Sequence, residues 1–276
     1  RVKDGLIARG WQEVVTLSFA EPRIQNLLTP QLSAVPVDNP IAEQLALMRT
    51  TLWSGLIPVW LHNHARQIER VRLFESGVCF EQVEGKVIET VRIGGLTSGL
   101  AQREQWAAAK RGVDFYDLKS DVESLLGAAQ SQYRFEAAPH PALHPGQSAR
   151  ISRNGKNAGW AGALHPEIVR ALDLPQTPML FELDWPILGE LAVPKAQPLS
   201  EFPSSRRDLA LVVAESVSAE QIISQIRASG GKVLSNVFVF DIYRGKSLQD
   251  GCKSIALGLI FNDYSRTLTL EDIEAS

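Results

Sequence analysis

The stretch VDNPIAEQLALMRTTLWSGLIPVWLHNHARQIERVRLFESGVCF, residues Val37–Phe80, decides how this chain folds. Asn39 is a good helix N-cap, and Pro40 follows at the first helical position, where its missing N–H costs nothing. The pair therefore predicts a helix opening there. A second helix is expected from about Ser54, with Leu56, Ile57, Trp60 and Leu61 as a broad apolar stripe at helical spacing. Pro58 would break a helix interior but is tolerated in a first turn, where the lost donor is already unpaired. His62, His64, Arg66 and Arg70 mark the wet end of this helix. Val71, Leu73 and the run Val78–Phe80 then read as a buried strand. A helix with a wide apolar face that leads straight into a core strand is a shape built to join something. Exposed apolar area at Trp53, Leu56, Ile57 and Trp60 suits a partner surface, and the same residues suit the domain's own core equally well.

Outward from this stretch, Val2–Gly10 reads as a helix tail ending at Gly10, without a cap at its start, as in a chain continuing upstream. Trp11–Phe19 alternates like a strand. Downstream, Gly85 turns one strand into another over Val87–Leu96. Asp114 or Asp117 opens a helix carrying Leu118, Val122, Leu125 and Leu126, with Gly127 as its C-cap. Asn154-Gly155 is a strong two-residue hairpin signal between strands ending at Ser152 and running on to Leu164. Pro166 starts a short helix, and Leu180–Trp185 closes the set. Strands joined by hairpins, with helices inserted, point to an antiparallel sheet in an α+β domain over residues 1–190. Residues 191–203, with Pro194, Pro198 and Pro203, read as a linker. Residues 204–276 carry a β-α-β-β-α pattern, a ferredoxin-like unit that lacks its last strand.

The 276 residues, 45% hydrophobic and 21% charged, suit two ordinary globular domains. No apolar run approaches the ~20 residues needed to span a membrane. Cys79 and Cys252 lie far apart in strand-like contexts and read as free thiols in a reducing compartment. A net charge of −3 does not by itself suggest a nucleic-acid partner. His140, His144 and His165 sit beside prolines, which argues against a helical metal pair. Glu182 and Asp184 share a strand face, without a local His or Lys to complete an acid–base site.

Strand parity yields the most informative constellation. Alternate strand residues share a face. With Leu209, Leu211 and Val213, then Phe238, Phe240 and Ile242, then Ile255, Leu257, Leu259 and Phe261 turned to a helix-covered core, the residues Ala210, Asp241, Tyr243 and Ser254 fall on the open face. A phenol ring to stack on and polar groups for a base edge make a base-reading platform. An ordinary solvated sheet face fits the same pattern. Arg206, Arg207, Arg244, Lys246, Lys253 and Arg266 border this unit as candidate phosphate contacts.

The words Asp38-Asn39-Pro40-Ile41, Met48-Arg49-Thr50 with Leu52, and Val71-Arg72-Leu73-Phe74-Glu75-Ser76-Gly77 carry a family likeness. So do Asp114-Phe115-Tyr116-Asp117-Leu118-Lys119, Ala142-Leu143-His144-Pro145-Gly146-Gln147-Ser148, Phe181-Glu182-Leu183 and Phe240-Asp241-Ile242-Tyr243-Arg244-Gly245. In this order and over nearly the whole chain, they resemble the bacterial phenylalanine–tRNA ligase beta subunit, in its C-terminal portion. The resemblance implies a class II synthetase-like but catalytically silent module, then a ferredoxin-like anticodon-binding domain in which Ala210, Asp241, Tyr243 and Ser254 match the base contacts. It implies assembly with an alpha subunit in a heterotetramer of two alpha and two beta chains, binding of phenylalanine tRNA, and a cytoplasmic location. ATP and Mg2+ are then expected for the assembled enzyme, with no cofactor, metal or catalytic residue in this chain. Class II enzymes hold ATP with a Phe-Arg-x-Glu word, and the corresponding strand here reads Leu73-Phe74-Glu75-Ser76, without that arginine. Two other readings stand beside this one: a free-standing α+β nucleotide-binding enzyme, and a ferredoxin-like regulatory module for a small ligand.

Overall fold

The computed structural model describes residues 2–127, 132–188, 196, 199–245 and 247–274. The chain divides into two units, Arg1–Pro194 and Lys195–Ser276. Most of the proline-bearing segment read as a linker lies outside the described residues.

The first unit runs α1 (Val2–Ala8), β1 (Gln12–Glu13), β2 (Phe19–Ala20), α2 (Pro22–Leu28), β3 (Leu47–Met48), α3 (Trp53–His64), β4 (Val71–Val83), β5 (Lys86–Ser98), α4 (Phe115–Leu126), β6 (Tyr133–Ala137), β7 (Leu143–Arg153), β8 (Lys156–Leu164), α5 (Pro166–Ala171), β9 (Met179–Asp184) and α6 (Trp185–Leu188). Seven strands form one sheet in the order β1-β4-β5-β9-β8-β7-β6. Only the β1–β4 pairing is parallel. Two tight hairpins set the register. Glu84 and Gly85 (φ 50° and 78°), and Asn154 and Gly155 (φ 51° and 76°), put two left-handed residues between paired strands, as the sheet's right-handed twist favours.

The sheet is covered on both faces. Phe74, Ile93 and Phe181 pack with Leu118, Val122 and Leu126 of α4 and with Leu6 and Trp11. Val71, Leu73, Leu96 and Leu180 pack with Trp53, Leu56, Ile57 and Trp60 of α3. Leu73 and Phe74 therefore serve opposite cores, as strand alternation requires. Asp114 caps α4 by accepting from Tyr116 N at 2.8 Å and Asp117 N at 3.0 Å, and the Asp117 carboxylate in turn accepts the Asp114 N–H at 3.0 Å.

The central stretch departs from its expected shape in two ways. Asn39-Pro40 opens no helix. The segment stays open until a 3-10 turn at Glu43–Leu45, because Val37 N bonds to Ala46 O and Met48 N to Val35 O, folding it back as a ribbon. Ile41 is 93% exposed, so a helix here would have had no apolar face to bury. The second departure concerns Pro58: α3 begins at Trp53, within one residue of the expected start, and Pro58 falls in its second turn, not its first. Trp11–Phe19 likewise holds only the pair Gln12–Glu13 in the main sheet before the chain reaches β2.

What fixes this stretch is a buried ion pair. Arg49 Nη1 lies 2.7 Å from Glu75 Oε1, and both side chains are buried. Arg49 also donates from Nε to Val78 O (2.9 Å) and from Nη1 to Thr16 Oγ1 (3.0 Å). Glu75 accepts the Thr16 hydroxyl at 2.7 Å and the Thr16 N–H at 3.2 Å. Gly77 makes room, since a Cβ there would sit 2.1 Å from Arg49 Nη2.

The second unit runs β10 (Ser205–Ala214), α7 (Ala219–Ser229), β11 (Leu234–Tyr243), β12 (Cys252–Phe261) and α8 (Leu270–Glu274), with strand order β10-β12-β11. Ser218 caps α7, and Thr269 and Asp272 exchange bonds at the start of α8. Ile222, Ile223 and Ile226 of α7 cover one sheet face, against Val237, Val239, Ile255 and Leu257. The other face has no helix over it among the described residues.

Glu75→Ala leaves Arg49 charged, buried and unpaired, so it is expected to cost about 3–5 kcal/mol in urea unfolding. Arg150→Ala, which removes an exposed pair with Glu136, is expected to change stability by less than about 1 kcal/mol.

Candidate nucleic-acid interface

The open face of the second unit is built in rows across three strands. Val212, Ser254 and Tyr243 pair across one row, and Ala210, Ala256 and Asp241 across the next. Asp208, Gly258 and Phe238 form the third. Paired residues of antiparallel strands share a face. Ala210, Asp241, Tyr243 and Ser254 thus lie on one surface in adjacent rows. Tyr243 is 48% exposed, and its ring folds back over Gly245, where a Cβ would fall 2.2 Å from the phenol oxygen. The phenol also shares a 3.0 Å hydrogen bond with Ser247 Oγ. The ring is held in one orientation with a face left open.

Phe238 and Phe240 are not in the helix-covered core. A β-bulge between Val239 and Asp241 adds one residue to β11 opposite β12. Before the bulge, odd-numbered Val237 and Val239 face α7. After it, Ile242 pairs with buried Ile255, while Asp241 pairs with Ala256 on the open side. One extra residue reverses parity. Phe238 and Phe240 therefore join Asp241 and Tyr243 on the open face, their ring centroids 6.4 Å apart. The Arg206 guanidinium lies 5.2 Å from each ring centroid and 2.7 Å from Asp208. Plain period-2 reading misses this group, and no local sequence feature marks the bulge.

The other basic candidates divide. Arg244 binds Glu215 at 2.7 Å, with the arginine holding that carboxyl below its usual range. Arg266 binds Asp272 at 2.6 Å. Lys253 is buried and donates to Glu215 O at 2.8 Å, so it does not border the open face. Arg207 alternates onto the helix side with Leu209. Lys246 lies outside the described residues.

In the first unit, Trp53, Leu56, Ile57 and Trp60 are 0–1% exposed and fill this unit's own core. The exposed apolar area expected of them is absent. The helix was apolar on more than one side, and these four turn to the sheet. The opposite side of α3, with Pro58 and Val59, lines a groove of about 520 Å³ with Val15, Leu17 and Phe19. Leu17 is 60% exposed.

Glu182, on the strand face it was expected to share with Asp184, is buried. Its Oε1 accepts from the Thr51 hydroxyl (2.8 Å) and Leu52 N (2.7 Å), and its Oε2 from Arg92 Nη1 (3.0 Å). Arg92 Nε reaches Asp184 Oδ1 at 2.9 Å. The three histidines share one local device. In each His-Pro-x word the Nδ1 accepts the N–H two residues on: Ala142 for His140, Gly146 for His144 and Glu167 for His165. Among the described residues no three His, Cys, Asp or Glu side chains gather as a metal site. Cys79 and Cys252 are free, with burial pushing the Cys79 thiol well up.

Residues 1–185 match the family model "Phenylalanyl tRNA synthetase beta chain CLM domain", and residues 200–276 match "Ferredoxin-fold anticodon binding domain". The chain belongs to the phenylalanyl-tRNA synthetase beta chain family. It is 42% identical to the phenylalanine–tRNA ligase beta subunit of Dickeya dadantii, over 100% of this chain and 35% of that protein. It is 44% identical to the Coxiella burnetii beta subunit, over 94% of this chain and 33% of that protein. The chain therefore spans about a third of the length of these relatives. A pyrrolysyl-tRNA synthetase of Desulfitobacterium hafniense is similar in fold, with TM-score 0.53 at 14% identity, covering 68% of this chain and 62% of that one. That likeness shows a class II synthetase-like fold. The family's words Met48-Arg49-Thr50 and Phe74-Glu75-Ser76 are the two sides of the buried ion pair. There they hold structure, with Arg49 3% exposed and bonded to Glu75 and Val78 O. No helix among the described residues is long and apolar enough to cross a membrane.

His140 supplies a pH test. Burial, then Arg92, push it down from 6.5 to about 4. The unfolded chain takes up a proton at His140 that the folded chain refuses between those values. Its contribution is thus complete above about 6.5 and is lost as pH falls toward 4. The loss is on the order of 3 kcal/mol. Urea melts from pH 7 to 4 are expected to flatten in His140→Gln relative to the parent chain.

Proposed function

We propose that this chain is the C-terminal, non-catalytic portion of a phenylalanine–tRNA ligase beta subunit, in which the open sheet face of the second unit reads the anticodon of phenylalanine tRNA. The observation that carries the reading is the pair of rows Val212-Ser254-Tyr243 and Ala210-Ala256-Asp241. They offer a stacking ring, a carboxylate that accepts from base amino and imino groups, a hydroxyl that does either, and two alanines small enough to let a base lie flat. The family match to an anticodon-binding domain over this segment supports it.

The first unit serves as a scaffold for a catalytic alpha subunit. The apolar groove on the outer side of α3 is the docking surface, continuous from Val15 through Val59. The relatives' name, a beta subunit, supports the existence of such a partner. In the assembled enzyme, two alpha and two beta chains in the cytoplasm attach phenylalanine to its tRNA with ATP and Mg2+. The alpha subunit would hold both. The chain described here contributes binding, orientation and assembly.

Two measurements test this. In a salt-controlled titration of the alpha–beta complex with the phenylalanine anticodon stem-loop, Tyr243→Ala is expected to weaken binding roughly 5- to 150-fold, the worth of one base stack. Tyr264→Ala, an exposed tyrosine outside the strands, serves as control. Equal affinities would leave the open face as plain solvated surface. For assembly, Leu17→Asp is expected to abolish co-purification with the alpha subunit while shifting the melting temperature of the chain by no more than a few degrees. Trp60→Asp, by contrast, is expected to unfold the first unit, because it puts a charge in a filled core.

A further inference from the structure

A cavity of about 170 Å³ opens beside β9 in the first unit. Its lining shares no residue with the groove on the outer side of α3. Its walls are aromatic. His140 stands edge-on to Trp53, with centroids 5.5 Å apart, and 4.8 Å from Trp160. Its floor is the charged trio Arg92, Glu182 and Asp184.

The trio is almost spent within itself. Arg92 gives Nη1 to Thr50 O (2.8 Å) and Glu182 Oε2, and Nε to Asp184 Oδ1. Burial works against the guanidinium charge, and Glu182 and Asp184 overcome it, so Arg92 stays protonated. Both Glu182 oxygens are occupied. Among the described residues the hydrogen bonds of Asp184 use Oδ1 alone, and its side chain is 31% exposed. Burial pushes the Glu182 carboxyl up against the pull of Arg92, and the acceptor that the trio leaves open is the carboxylate oxygen Asp184 Oδ2. His140 adds no cation, because its Nδ1 accepts from Ala142 and burial keeps the ring neutral at pH 7. A carboxylate oxygen below flat aromatic faces is the combination that recognises an ammonium group. An anion would be repelled by the Asp184 carboxylate, and a neutral donor would meet that oxygen without the Coulomb attraction that an ammonium adds.

We propose that this cavity binds a small organic cation, a primary ammonium carried on an apolar or aromatic body. The test uses three isosteric probes on the full 276-residue chain: benzylamine hydrochloride, benzyl alcohol and sodium benzoate, followed by calorimetry and by the fluorescence of Trp53 and Trp160. Benzylammonium is expected to bind saturably. Asp184→Asn should weaken it about tenfold or more, the worth of a charge-assisted bond. Leu32→Trp, which fills the cavity from its rim, should abolish binding, and it decides the matter if Asp184→Asn melts early. Benzyl alcohol and benzoate should not saturate. The proposal is overturned if benzylammonium does not bind, if benzoate binds as well as it does, or if Leu32→Trp leaves affinity unchanged.

Discussion

The buried pair of Arg49 and Glu75 is the constraint on which the first unit depends. Arg49 ends the irregular segment before α3, and Glu75 lies in the middle of the longest hairpin. Their contact, with Thr16 as a third member and Val78 O as an anchor, ties three distant pieces of chain to one point. A buried pair of this kind adds little net stability over apolar packing, but breaking it is costly, so it selects one arrangement among compact alternatives. The arrangement it selects starts α3 four residues on, with Trp53, Leu56, Ile57 and Trp60 against the sheet.

The second unit solves a different problem. Three strands and α7 bury one sheet face and leave the other wet, which suits recognition better than stability. The open face concentrates rings and short polar side chains, while its basic residues are held by Asp208 and Glu215 or turned away. The net charge of −3 fits such a surface. Contact through stacking and base edges needs less of a phosphate-binding field than contact through the backbone does.

Much of this was legible in the residues. The Asp114 cap, the Asn154-Gly155 hairpin, the free thiols and the strand alternation of β10 and β12 all follow local rules, and the structure keeps them. The misses have physical causes. Asn39-Pro40 has good capping chemistry, but a cap does not make a helix where Ile41 has nothing to pack against. α3 carries apolar residues on more than one side, so periodicity cannot say which side meets its own sheet. Asp121 shows the same limit. It is buried and bound by Arg9, Arg72 and the Trp11 indole, partners about 50 to 110 positions away that no local pattern announces.

The bulge in β11 has a consequence for how this strand can change over time. Phe240 is the supernumerary residue there. If it were removed, Val237, Val239 and Ile242 would still turn to the helix side, and Phe238, Asp241 and Tyr243 would still face out, now in unbroken alternation. Loss of one residue from a paired strand ordinarily turns everything beyond it inside out. Here Phe240 marks a position where the strand's length can vary by one while both polarities survive. An aromatic ring could be acquired or lost on the open face without the fold having to be reinvented around it.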